Sequence, residues 1–358
     1  MAAQSSLIRA YGETDFITGL RALAATMVVI THTAAFSDFG QLGVTMSGAG
    51  KYGVNVFFVI SGFTIAKTFT ETEGYRPYLI RRMFRILPLY WLIVIVGFLL
   101  ANSGIEVSDW MRRFDVSADA YNLFMHLAMI SYLDYRVANS ILGVEWTIPI
   151  EVFWYLLLPL LLSRAQTMLR TLGAVATLII MAGIMAYFSK KLFGTVLPVK
   201  WSPIASGHLF FIGALTFFLR EKLGQRQDSR FRLVIWGAVA LFALSVSFEF
   251  TGRGELIAIA TAILLVFASK QRAGLLVTVL TYRPVLFLGS ISYSIYLIHL
   301  IVIAVLRRAD LGFSTSLANF ALVFALTVAL STLTYVLVER PTNNLGRRVA
   351  RQPVAFAR

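Results

Sequence analysis

Arg21 and His32 are ionisable groups inside a run that is otherwise apolar, in Gly19-Leu20-Arg21-Ala22-Leu23 and Ile30-Thr31-His32-Thr33. Charge within a membrane span is costly and marks either a function or a buried pair. Eleven positions separate the two residues. At about 100° per residue this is three turns plus about 20°, so both lie on one stripe. Ala25 and Val28 lie between them on that face. Along the axis they stand ~16 Å apart, too far to share a metal ion or to pair directly. They suit the two ends of one long ligand. Glu151, in Trp146-Thr147-Ile148-Pro149-Ile150-Glu151, and His299 fall at a depth similar to that of His32. Histidine titrates near neutrality, so His32 could deprotonate a hydroxyl while a carboxylate orients its ring. The bland alternative is a histidine bonded to a neighbouring helix. The shared stripe and the matching depth of Glu151 favour chemistry for His32. Glu151 could equally pair with an arginine, His299 could simply pack or support, and His126 and His208 read as structural.

A second constellation is Arg81-Arg82-Met83-Phe84-Arg85-Ile86-Leu87-Pro88-Leu89-Tyr90-Trp91. Arg82 and Arg85 share a helical face. Guanidinium groups bind phosphate in bidentate fashion, so the pair suits a phosphorylated ligand. A basic cluster beside a span is also a common topological anchor and can touch anionic lipid. In Gly53-Val54-Asn55-Val56-Phe57-Phe58-Val59-Ile60-Ser61-Gly62-Phe63 the small residues permit close helix approach. No glycine-rich phosphate loop, zinc-binding helix motif or nucleophile elbow is present. The chain has no cysteine, which excludes disulfides, thiolate metal sites and cysteine nucleophiles.

The elements that must position these groups are membrane helices. Hydrophobic residues make up 58% and charged residues 14% of the chain, with a mean hydropathy of +0.75. A soluble domain carries nearer ~45–50% apolar and ~25% charged residues. The expected fold is all-α, a polytopic bundle of about ten spans: 16–36, 52–68, 86–102, 148–163, 172–189, 204–219, 233–249, 255–268, 285–306 and 317–338. The segment 121–133 reads as re-entrant or interfacial. With both termini in the cytoplasm, cytoplasmic segments collect 21 of the 32 Lys and Arg and outside segments ten, Arg21 lying within a span. The net charge of +14 is therefore first a topology signal, and nucleic acid is not an expected partner. The expected organisation is a cytoplasmic N-terminus over 1–15, one membrane domain over 16–338 and a basic cytoplasmic tail over 339–358.

These motifs, in this order, resemble the acyltransferase 3 family of membrane-bound acyltransferases. The resemblance runs from Phe16-Ile17-Thr18-Gly19-Leu20-Arg21 to His32, through the segment Gly53 to Phe63 and the Arg82 to Trp91 segment. It continues through Trp146-Thr147 to Glu151 and Phe153-Trp154-Tyr155, and through Ser292-Tyr293-Ser294-Ile295-Tyr296-Leu297-Ile298-His299, to Glu339-Arg340-Pro341. It implies transfer of acetyl from cytoplasmic acetyl-CoA to a sugar hydroxyl of a surface glycan, in a bacterial inner membrane. Arg21 and His32 match the family's essential Arg–His pair, and Arg82 and Arg85 its cytoplasmic pair at the CoA phosphates. Trp146 and His299 are expected on the acceptor side. Thr18 stands where many members carry Asp. The thioester is already activated, so the resemblance calls for no metal. Expected acceptors are lipopolysaccharide O-antigen, exopolysaccharide or a lipid-linked precursor, with membrane lipid as the surrounding partner. The rival class is a transporter of a glycan or lipid, with Arg21, His32 and Glu151 as its polar pathway.

Overall fold

The computed structural model describes residues 14–72, 74–163, 167–223, 229–269 and 274–351. Segments 1–13 and 352–358, most of the expected N-terminal segment and the end of the basic tail, lie outside the described residues. So do Arg164, Arg226, Lys270 and Arg272 of the charge pattern. Among the described residues the fold is helical, without strands. In hydrocarbon a backbone must satisfy its own polar groups, and a helix does so within one segment.

The principal helices are α1 (Asp15–Thr33), α2 (Gly53–Glu71), α3 (Tyr75–Asn102), α4 (Thr147–Leu162), α5 (Met168–Phe193) and α6 (Pro203–Leu223). They continue with α7 (Ser229–Ser247), α8 (Arg253–Phe267), α9 (Arg283–Ser290), α10 (Ser292–Arg308), α11 (Ser316–Thr334) and α12 (Arg340–Val349). Each of the ten expected spans falls on helix, but six stretches are long and apolar enough to cross a membrane, or seven if α9 and α10 count as one. The helix α4 and the stretch Phe231–Ser247 are shorter apolar helices, and α8 has only 15 residues. The expected single span 285–306 is broken by a 71° bend between α9 and α10. Ser290 Oγ donates to the Leu286 carbonyl at 2.8 Å, a back-bond that weakens the helix ladder at that point. The segment 121–133 forms a short helix, Ala120–Leu127, and a single turn, Ser131–Leu133. The start of the expected tail is not loose. A π-turn, Tyr335–Glu339, leads into α12, which lies against Phe84 of α3 at Gly346.

Helices α1, α2, α4, α6 and α10 supply much of one continuous apolar core. Helix α5 buries few residues and presents Ile179, Ile180, Ile184 and Leu192 outward, as a helix facing lipid does. A tight crossing joins α2 to α6. A Cβ added at Gly62 would collide with the Phe210 carbonyl, and one at Gly213 with the Val59 carbonyl. Close backbone approach of this kind is what small residues provide in membranes. Gly62→Leu is therefore expected to cost about 3 kcal/mol or more by overpacking. It should show as loss of detergent-stable protein in a thermal unfolding assay.

Candidate active site

Helices α1 and α10 run side by side in the same direction, and two contacts tie them. Near the start of each, Arg21 Nε donates to Ser292 Oγ at 3.2 Å. Near the end of α1 and midway along α10, the rings of His32 and His299 lie 5.0 Å apart, with His32 Nδ1 3.1 Å from His299 Nε2. Both ends of the stripe expected on α1 thus meet the same partner helix.

The carbonyls around the two histidines fix their tautomers. His32 Nδ1 lies 2.9 Å from the Val28 carbonyl, and His299 Nδ1 lies 2.8 Å from that of Tyr296 and 3.2 Å from that of Ile295. A carbonyl only accepts, so each Nδ1 carries the hydrogen. His299 Nε2 is then an acceptor turned toward the N–H of His32. His32 Nε2 keeps a lone pair, the form a general base requires. His299 is fully buried, whereas His32 is exposed. His32 lines a groove of about 340 Å³ with Thr33, Arg307, Asp310 and Asn319 on its polar side and Ile303, Leu306, Leu322 and Val323 on its apolar side.

Arg21 opens into a different space, a narrow cavity of about 50 Å³. Its polar lining is Arg21, Ser61, Arg85, Thr147, Glu151, Tyr155, Tyr293 and Tyr296, and Phe57, Phe58 and Ile60 are among its apolar walls. Glu151 Oε1 accepts from Ser61 Oγ at 2.5 Å and from Tyr155 Oη at 2.6 Å. Tyr155 sits one turn below Glu151 on α4, a spacing that puts both on one face. The expectation that Glu151 orients His32 is not what the structure shows: His299 is the neighbour of the His32 ring. Phe57 and Tyr296, edge to face at 5.9 Å, line this cavity, and Tyr296 lies 6.3 Å from His299, the neighbour of His32.

The two arginines expected to act as a pair are separated. Arg85 lines the cavity. Arg82 is 4% exposed and turned onto α2, where its Nη2 donates to the Thr64 carbonyl at 2.6 Å and to Thr68 Oγ1. Tyr78 and Tyr155 flank its guanidinium at 5.8 and 5.3 Å. Trp146 does not line the cavity. It packs edge-on against Phe58 at 6.2 Å and Trp201 at 4.6 Å.

Two glutamates went unremarked as site residues in the sequence. Glu339 is buried at the end of the π-turn, accepts from Ser294 Oγ at 3.1 Å, and shares a field with Arg21 and Arg85. A π-turn often marks a functional position. Glu145 is fully buried, takes the backbone N–H groups of Ile141, Leu142 and Val144, and lies 3.3 Å from His126 Nε2. It fixes the turn that launches α4, and so the placement of Thr147 and Glu151. Glu339 was not legible beforehand because it meets Ser294 from a distant segment, whereas Glu145 holds a local turn that no motif marked.

Residues 14–336 match the family model of the acyltransferase domain. Relatives with curated names are similar along the chain. The protein named "Putative peptidoglycan O-acetyltransferase YrhL", of Bacillus subtilis (strain 168), is 25% identical over 92% of this chain and 55% of its own length. O-acetyltransferase OatA of Staphylococcus aureus (strain NCTC 8325 / PS 47) is 24% identical over 92% of this chain and 57% of its own. The chain thus spans a little over half the length of these two. Nodulation protein 10 of Rhizobium leguminosarum bv. viciae is 23% identical over 94% of this chain and 95% of its own length. No solved structure matches.

Proposed function

The chain belongs to the acyltransferase 3 family, and from that premise we propose that it is a membrane O-acetyltransferase moving acetyl from acetyl-CoA to a sugar hydroxyl of a surface glycan. The observation that carries the reading is the pair of spaces set back to back along α1 and α10. One holds two guanidinium groups, Arg21 and Arg85, and the other holds the bare nitrogen of His32. A phosphorylated donor fits the first, and a hydroxyl needing a base fits the second.

With both termini cytoplasmic and the protein in a bacterial inner membrane, the Arg21 end faces the cytoplasm. Arg85 and Arg21 bind CoA phosphate, and the thioester arm extends past Glu151 toward Tyr296. Displacement of the Phe57–Tyr296 wall lets the thioester reach His32. Trp146 acts through Phe58 to shape the cavity wall. His32 Nε2 removes the hydroxyl proton as the sugar oxygen bonds to the thioester carbonyl carbon. The carbon–sulfur bond then breaks, and the imidazolium returns its proton to the departing thiolate. His299 Nε2, holding the N–H of His32, steadies the ring while it is charged. The relatives' names support the acyl class, and that of the Bacillus relative adds peptidoglycan to the acceptors to be tested.

The test joins two measurements. Surface glycans from cells with and without the protein are compared by mass spectrometry and NMR, and detergent-purified protein is supplied with labelled acetyl-CoA. Expected are an acetyl group lost from the glycan without the protein and consumption of acetyl-CoA with it. Glycan or lipid flux with no acetyl-CoA consumed would make the chain a transporter instead.

A further inference from the structure

Three cations distant in sequence gather at the His32 end of the bundle. Lys51 lies in the turn before α2, Arg113 in the short helix Trp110–Phe114, and Lys200 in the turn Leu197–Lys200. All three are exposed, and Lys200 feels the charge of both others. Among the described residues none of them has a carboxylate within ion-pair distance. Asp109 and Asp115 flank the short helix of Arg113, and other acids of the same loop are engaged elsewhere. Glu106 is taken by Arg112 at 2.7 Å, Asp134 by Arg136 at 2.7 Å, and Asp119 caps a helix at Asn122. Like charges held together repel, and an anion between them relieves the repulsion.

Each of the three lies against an aromatic ring, and the rings under Arg113 and Lys200 form one floor. Lys51 lies 5.3 Å from the centre of Tyr52, Arg113 5.3 Å from that of Trp110, and Lys200 5.8 Å from that of Trp201. Trp201 in turn packs against Trp110 at 4.9 Å and Trp146 at 4.6 Å. Such rings attract cations and exclude water, which strengthens pairing with an incoming anion. Trp201 is 7% exposed, and its indole N–H is buried with no acceptor. A buried indole N–H ordinarily has one. The patch also adjoins the site. The Lys51 amide donates to Thr31 Oγ1 at 3.1 Å, next to His32, and Trp146 touches Phe58 of the cavity wall.

We propose that this patch binds an anionic sugar of the acceptor, one carrying a carboxylate or a phosphate, and holds the glycan beside His32. The saccharide assignment rests on the acyl-transfer reading; the anion site does not. An anionic lipid headgroup offers the same phosphate chemistry, so the test must separate the two.

The full chain is placed in nanodiscs of phosphatidylcholine, and its tryptophan fluorescence is titrated with hexagalacturonate and with uncharged maltohexaose. The charged sugar should bind about tenfold tighter or more, weakening as salt rises. The double variant Arg113→Gln/Lys200→Gln should lose that preference, and Arg113→Lys/Lys200→Arg should keep most of it. Equal binding of the two sugars, or an unchanged preference in the glutamine variant, overturns the site. If phosphatidylglycerol in the disc abolishes saccharide binding, the patch is a headgroup site and the saccharide assignment falls. Acetyl-CoA consumption in the same discs reports on acyl transfer separately. Its absence would sink that reading while charge-dependent binding stood.

Discussion

His32→Ala is expected to lower glycan acetylation by about 10²–10⁴-fold, the range of a lost general base, while leaving folded protein in the membrane. The ring is exposed, so its removal opens no deep cavity. What the fold loses is the bond to the Val28 carbonyl and the contact with His299, each worth about 1 kcal/mol net. Activity is measured by label transfer from acetyl-CoA, and folding by thermal unfolding in detergent. His299→Ala should fall between the two extremes, because it removes the support behind the base and leaves the base itself. Its pH–rate profile should shift, since the acceptor that steadies the charged ring is gone. Undiminished transfer by folded His32→Ala would remove His32 from the chemistry.

The sequence carried the stripe from Arg21 to His32 clearly, because helical periodicity alone sets which residues share a face. The apolar composition and the length of the apolar runs foresaw that each of these segments would be helical. They also bounded the short ones well, since the expected 148–163 and 255–268 match α4 and α8 closely, but they counted them as full spans. The break between α9 and α10 was equally hidden: beside it Gly289 closely approaches the Thr18 carbonyl, a contact between segments far apart in the chain. Depth was a fair guide for the two histidines and a poor one for Glu151. Glu151, His32 and His299 were expected at one level, yet Glu151 lines the cavity of Arg21 and Arg85, bonded to Ser61 and Tyr155, while the two histidines come together. Motif resemblance named Arg82 and Arg85 as a pair for the same reason that spacing did. Neither shows that a residue three positions away on a helix can turn inward to a neighbouring backbone.

That divergence gives the second large effect. Arg85→Ala should raise the KM for acetyl-CoA by about 10–100-fold, the loss of a charge-assisted bond of roughly 1.5–3 kcal/mol, with little change in folded yield. Arg82→Ala should do the reverse. Its guanidinium is buried between Tyr78 and Tyr155 and held by Thr64 and Thr68. Truncation strands those acceptors and opens a void, a loss of about 3 kcal/mol or more. The protein that survives should bind donor nearly as well as the wild type. Arg21→Ala belongs with Arg85, because both line one cavity and share the field of Glu339. Kinetics and thermal unfolding on the three purified variants separate the roles. If Arg82→Ala raises KM as Arg85→Ala does and unfolds no earlier than wild type, the guanidinium turns outward to meet the donor and the two arginines act together after all.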